Sequence, residues 1–128
     1  MVLDEILNLL KTNSELNALL NPTVIDNKIY MYDTNKDCNC IVYKFIPLTS
    51  NGIKAQARLE ITCISKDYIV AEQILEQVKK ILLTIGSKHN QLNSIKNVSL
   101  NGGGSLKDSD LNTFQLKGFF ILTYREGR

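Results

Sequence analysis

The chain has 128 residues, 44% of them hydrophobic, and a formal net charge of +2. That length suffices for one ordinary core without staples, and so small a charge argues against a phosphate-gripping surface as its main purpose. No apolar run approaches the roughly 18 residues of a membrane span, and three cysteines without framework spacing point to a reducing compartment.

Val2, Ile6, Leu7 and Leu10 recur at helical spacing, and Ser14–Leu20 continues as a second helical piece that Asn13 or Ser14 can cap. Early acids and the lack of a basic leading segment set this stretch apart from a signal peptide. Pro22 closes the helical region, because proline disfavours helix in the residue before it. Residues 28–32 read as a short strand and 33–39 as a polar turn. Residues 40–46 form a second strand, apolar on both faces and so central or covered by a partner. Pro47 stops that strand, and Thr49, Ser50, Asn51 and Gly52 make a turn.

The next stretch has the clearest pattern in the chain. Ala55, Ala57, Leu59, Ile61 and Cys63 alternate with Lys54, Gln56, Arg58, Glu60 and Thr62, which is a strand with one buried face and one wet one. With the preceding strand it makes a hairpin. From Asp67 the period changes to three and four, through Val70, Ala71, Ile74, Leu75, Val78, Ile81, Leu82 and Ile85. Ser65 or Asp67 caps this helix, and Gly86 is placed to end it. Residues 95–100 alternate weakly as a short strand, and the glycine-rich segment 101–110 reads as a mobile loop. The last strand, 114–125, directs Phe114, Leu116, Gly118, Phe120, Leu122 and Tyr124 one way. Phe119 and Ile121 fall on its other, wetter face, where an adjacent apolar pair marks a covered surface or subunit contact.

The expected fold is α+β in two layers: a mostly antiparallel sheet of four to five strands with two helices on one face, in the order α-β-β-β-α-β-β. Residues 1–128 are expected to form a single domain. Residues arranged for catalysis are not evident, so no enzyme activity and no cofactor are expected. Cys38 and Cys40 are separated by a single residue, whereas zinc sites separate paired ligands by two to four residues, twice over. With Cys63 and His89 they read as ordinary turn, core and loop residues, and no metal site is expected. The three glycines at 102–104 lack the following Gly-Lys-Ser/Thr of a phosphate loop, and Asp108 and Asp110 would repel phosphate.

In order and spacing the chain resembles the tail terminator proteins of long-tailed bacteriophages, also called tail completion or head–tail joining proteins. The resemblance rests on an N-terminal helix ending in LNALLN before KIYMYD, and on the hairpin CIVYKFIPLTSNGIKAQARLEITCIS. It continues in the helix SKDYIVAEQILEQVKKIL and in the closing strand FQLKGFFILTYRE after a variable segment. It implies a structural protein that forms a hexameric ring on the head-proximal end of the tail tube. Such a ring ends tube polymerisation and joins the tail to the head connector, or neck, while DNA passes through without specific binding. The implied partners are copies of the chain itself, the tail tube protein and the connector, with no membrane. The implied location is the host cytoplasm during assembly and then the virion tail. A ring requires one patch to meet a different patch. The strands 40–46 and 114–125 are the two candidates, with Val42, Lys44, Ile46, Phe119 and Ile121 as subunit contacts. Gly102, Gly103, Gly104, Lys107, Asp108 and Asp110 are the candidate loop against tube or connector.

The alternative is a small nucleic-acid-binding α+β domain that stacks bases on Tyr30, Tyr32 and Tyr43 beside Lys44. The low net charge and the acids Asp33 and Asp37 weigh against it.

Overall fold

The computed structural model describes residues 2–22, 28–32, 38–85 and 95–125. Their elements are α1 (Val2–Thr12), α2 (Ser14–Leu20), β1 (Ile29–Met31), β2 (Cys40–Ser50), β3 (Lys54–Ser65), α3 (Tyr68–Leu83), β4 (Ile95–Asp108) and β5 (Thr113–Arg125). The strands form one sheet in the order β1-β2-β3-β5-β4. Neighbours are antiparallel except β1 and β2, which run parallel. The helices pack on one face of this sheet, so the two-layer α+β architecture is as expected, with three helices where two were expected.

The additional helix comes from Asn13. Its side chain accepts a hydrogen bond from the Leu16 backbone N–H at 2.9 Å, which caps α2 and breaks the chain direction after α1. Asn21 then ends α2 in a left-handed conformation at φ 52°. At the base of the sheet, Asn39 donates to the Leu19 carbonyl at 3.1 Å and accepts from the Ser65 hydroxyl at 2.7 Å. One amide thus ties the start of β2 to the end of α2 and to the end of β3. Asp67 caps α3 by accepting from the Ile69 N–H. Gly86, the expected stop, lies outside the described residues.

The apolar stripe of α3 forms the centre of the core. Ala71, Ile74, Leu75, Val78, Ile81, Leu82 and Ile85 are buried, and Val70 is half-buried. They meet Leu59, Ile61 and Cys63 of β3 and Leu116, Phe120 and Leu122 of β5, while Ile6, Leu10, Leu16 and Leu20 close the layer from α1 and α2. Large side chains of this kind stabilise the fold by roughly 1.5–3 kcal/mol each when fully buried. Gly118 sits under the helix: a methyl group there would come within 3.0 Å of the Phe120 ring and 3.2 Å of Leu75.

Two expectations about strand ends are overturned. Pro47 does not stop β2, which continues to Ser50 with a register shift between Pro47 and Thr49. A proline is tolerated there because β1 pairs only with Ile41, Val42 and Tyr43, so the far side of β2 has no ladder to break at Pro47. The supposed mobile loop 101–110 is strand over most of its length. Gly102, Gly103, Gly104, Lys107 and Asp108 belong to β4, and Asp110 to the turn after it. Glycines carry no side-chain alternation, so the pattern is silent, yet their backbone pairs with β5 across an irregularity between Leu100 and Gly103. The pairing also needs Gly103, where a methyl group would lie 2.5 Å from the Lys117 carbonyl oxygen.

Gly118→Ala is expected to cost about 1–3 kcal/mol in urea denaturation, through overpacking against Phe120 and Leu75. In a Phe120→Leu background the same change should cost measurably less, because the Phe120 ring atoms it strikes are removed and only the Leu75 contact remains. Additive costs would show that Gly118 is not packed as described.

Candidate functional site

The face of the sheet away from the helices carries the residues proposed as subunit contacts. The registers place them in adjacent rows: Val42–Thr62–Lys117, Lys44–Glu60–Phe119 and Ile46–Arg58–Ile121. Val42, Lys44, Ile46, Phe119 and Ile121 therefore lie on one face, with only β3 between the two groups. The expectation of two different patches on strands 40–46 and 114–125 is corrected accordingly. Those strands sit two apart in one sheet and present one continuous patch.

Alternation alone makes this face amphipathic, and local pairing shapes it. The Arg58 guanidinium stacks over the Phe119 ring at 4.4 Å from its centroid. Its Nε lies 3.3 Å from a Glu60 carboxylate oxygen, a close ion contact that is not aligned as a hydrogen bond. Phe119 is half-buried, with Arg58 over its ring and Gly102 of β4, at φ 112°, beside it; a methyl group on Gly102 would stand in ordinary contact with the ring, 3.5 Å away.

Beside this cluster lies an open groove of about 430 Å³. Val42 and Ile64 form its apolar floor with Thr62, and Lys44 and Lys117 flank it. Tyr32 and Gln115 complete the rim. Tyr32 holds a left-handed backbone at φ 67°, which is strained for an aromatic residue, and its N–H donates to the Tyr43 carbonyl at 2.8 Å. Among the described residues neither Lys44 nor Lys117 forms an ion pair. Arg58, Thr62, Gln115 and Lys117 were not singled out from the sequence. Their signal was the polar half of the strand alternation, which looks the same whether that half faces bulk water or a groove.

The stacking surface imagined for nucleic acid does not form. Tyr43 is buried on the helix side of the sheet, whereas Tyr30 packs on the opposite side with Cys40 and Val42. Tyr30, Tyr32, Tyr43 and Lys44 therefore do not share a face.

The cysteines separate in the same way. Cys63 lies in the main core, Cys40 in a small cluster on the other side of the sheet, and Cys38 beside it. Burial pushes the Cys63 thiol far up, and the nearby Cys40 sulfur adds to the shift. Cys38 is half-buried and accepts from the Lys28 ammonium at 3.9 Å. His89 lies outside the described residues, and among those described no group of three or more His, Cys, Asp or Glu is positioned to hold a metal. No helix among them is long and apolar enough to cross a membrane.

The sheet is open at both sides. Beyond Tyr43 the outer edge of β2 has no partner strand among the described residues, and neither does the outer edge of β4. Among the described residues the arrangement is a two-layer α+β unit with helices on one sheet face only and unpaired outer edges on β4 and on β2 beyond β1. Among solved structures this fold is similar to that of a chain in the virion of a native gene transfer agent particle. The TM-score is 0.68 over 94% of this chain and 92% of that one, at 10% sequence identity. No family model matches the sequence, and no curated protein matches it.

In the native protein Cys38 is expected to react first with a small alkylating reagent, with Cys40 and Cys63 protected until global unfolding. Mass spectrometry of partly labelled protein checks this. Labelling of Cys63 at the rate of Cys38 would contradict the burial described.

Proposed function

We propose that this chain is a structural, non-catalytic protein of a phage-type tail, one that caps the head-proximal end of the tail tube as a ring and joins it to the head connector. The observation that carries this reading is the shared fold: 94% of the chain aligns with a chain of a gene transfer agent virion. Order and spacing of the sequence motifs, which resemble tail terminators, support the finer role.

The free edges supply a physical route to a ring. The outer edge of β2 from Lys44 to Ser50 and the outer edge of β4 lie on opposite sides of one sheet. Pairing the β4 edge of one copy with the β2 edge of the next is a heterologous contact, and such contacts close into rings when the rotation per subunit permits. Exposed Ile46 and Leu48 lie along this stretch of β2 and would be covered by the neighbour. In this reading the partners are further copies, the tube protein and the connector, and DNA passes through unbound. The protein assembles in the host cytoplasm and ends in the virion tail.

The test grows tubes from the tube protein of the same genome, with and without this chain, and measures their lengths by electron microscopy. The wild-type chain is expected to stop elongation and to appear as a terminal ring. Ile46→Asp and Phe119→Asp are expected to leave the fold intact by circular dichroism and to abolish capping. Tubes equally long with and without the wild-type chain would overturn the proposal.

A further inference from the structure

The low net charge of the chain conceals a separation of charge between its two layers. On the helix-free face the registers place Lys44, Lys54, Arg58, Lys117 and Arg125, and among the described strand residues only Glu60 and Asp108 oppose them. Both acids are already engaged. Glu60 lies 3.3 Å from Arg58 Nε, and an Asp108 carboxylate oxygen accepts from the N–H groups of Asp110 and Leu111 at 3.0 and 3.2 Å. The helices carry the opposite excess, with Asp4, Glu5, Glu15, Glu72 and Glu76 against Lys11, Lys79 and Lys80. The sheet face therefore presents a positive field that composition does not reveal.

The groove concentrates this field. Lys44 and Lys117 flank it, and neither ammonium has a carboxylate partner among the described residues, because Glu60, opposite Lys44 in register, is held against Arg58. Val42 and Ile64 are buried and form a dry floor. On the rim Tyr32 is 57% exposed and keeps a φ of 67°. Strain of this kind costs free energy and gathers at ligand sites, where the conformation is part of the task. The spacing defines the ligand further. Lys44 and Lys117 stand on strands two apart, roughly 10 Å at about 4.8 Å per strand, which is the length of about three residues of extended chain. Thr62 and Gln115 offer hydrogen-bonding groups along that path. Since β3 is paired on both sides, an occupant cannot join the ladder here and is held by side chains.

We propose that this groove docks an extended acidic segment of a partner protein, with one carboxylate on Lys44, a second on Lys117, and an apolar side chain between them against Tyr32. Complementary charge of this kind selects the partner and fixes its register more than it adds affinity. A nucleic-acid backbone is the poorer match, because Glu60 and Asp108 interrupt the basic face and its tyrosines form no stacking platform. The assignment stands apart from the ring reading, since it involves no contact between copies of the chain.

The test offers the full chain to an array of short peptides that carry two glutamates at graded separations with apolar residues between them. Matching series carry glutamine or lysine in place of glutamate. Binding is expected to peak at a separation of about three residues and to be lost in the glutamine and lysine series. Lys44→Gln with Lys117→Gln should weaken the best peptide roughly tenfold, the loss of two exposed charge pairs, with folding confirmed by circular dichroism. Lys79→Gln with Lys80→Gln, on the helical layer, should leave binding unchanged. Tyr32→Gly should weaken the peptide without lowering the melting temperature, because glycine adopts the left-handed backbone freely; a purely structural Tyr32 would show the reverse. Glutamate peptides that bind no better than their glutamine counterparts, or that bind the Lys44 and Lys117 variant equally well, overturn the proposal. So does a DNA duplex that binds more tightly than any peptide and is released by the same two substitutions, which would make the groove a phosphate site.

Discussion

The packing of α3 across β3 and β5 is the interaction on which the remaining features depend. Its stripe presses onto Leu59, Ile61, Leu116 and Phe120, and it can approach this closely because position 118 has no side chain. With α1 and α2 drawn to the same side, the whole apolar yield of the helices goes to one face of the sheet. Among the described residues the opposite face is organised by strand side chains and the residues flanking them. Arg58 covers Phe119, Tyr30 and Cys38 shelter Val42 and Cys40, and a groove remains between these local clusters.

Much of this was legible from periodicity. The alternation through Ala55–Cys63 and the three–four spacing from Val70 to Ile85 located the hairpin and α3, because each has one face buried and one wet. Two kinds of information were hidden. Glycine has no side chain to show a period, so Gly102, Gly103 and Gly104 read as a loop, although Gly103 and Gly104 pair with β5 and Gly102 lies in the irregular step before them. Proline announces an end only where a ladder bond would be lost, and beside Pro47 β1 has already stopped. For the surface, Phe119 and Ile121 stood out as apolar residues out of phase, whereas Lys117 and Thr62 were in phase and drew no notice. Neither could show that strands two apart in the sheet would present one patch, since that follows from β5 inserting between β3 and β4.

That insertion has a further effect on recognition. The strand order places the two hairpins side by side through β3 and β5, so β4 and, past the three residues of β1, β2 become the outer elements, from different hairpins. The two sides of the sheet are therefore chemically unlike. Among the described residues, one is short of pairing only past β1 and is lined by Ile46 and Leu48; the other is open throughout and rich in glycine. Unlike sides favour head-to-tail contact over a symmetric pair, because neither side is self-complementary in length or composition.

The fourteen residues of β4 also bear on how an exposed strand edge avoids aggregation. A long bare strand is the usual template for runaway cross-β stacking, and what arms it is a flat row of large or branched side chains. Here the middle of the strand is Asn-Gly-Gly-Gly-Ser, the sequence poorest in such side chains, and it falls at the irregular step in the ladder. Indiscriminate stacking thus finds little to grip, whereas a neighbour that fits both the backbone and the flanking leucines does. The same glycines that hid the strand in the sequence make this edge a poor template for such stacking.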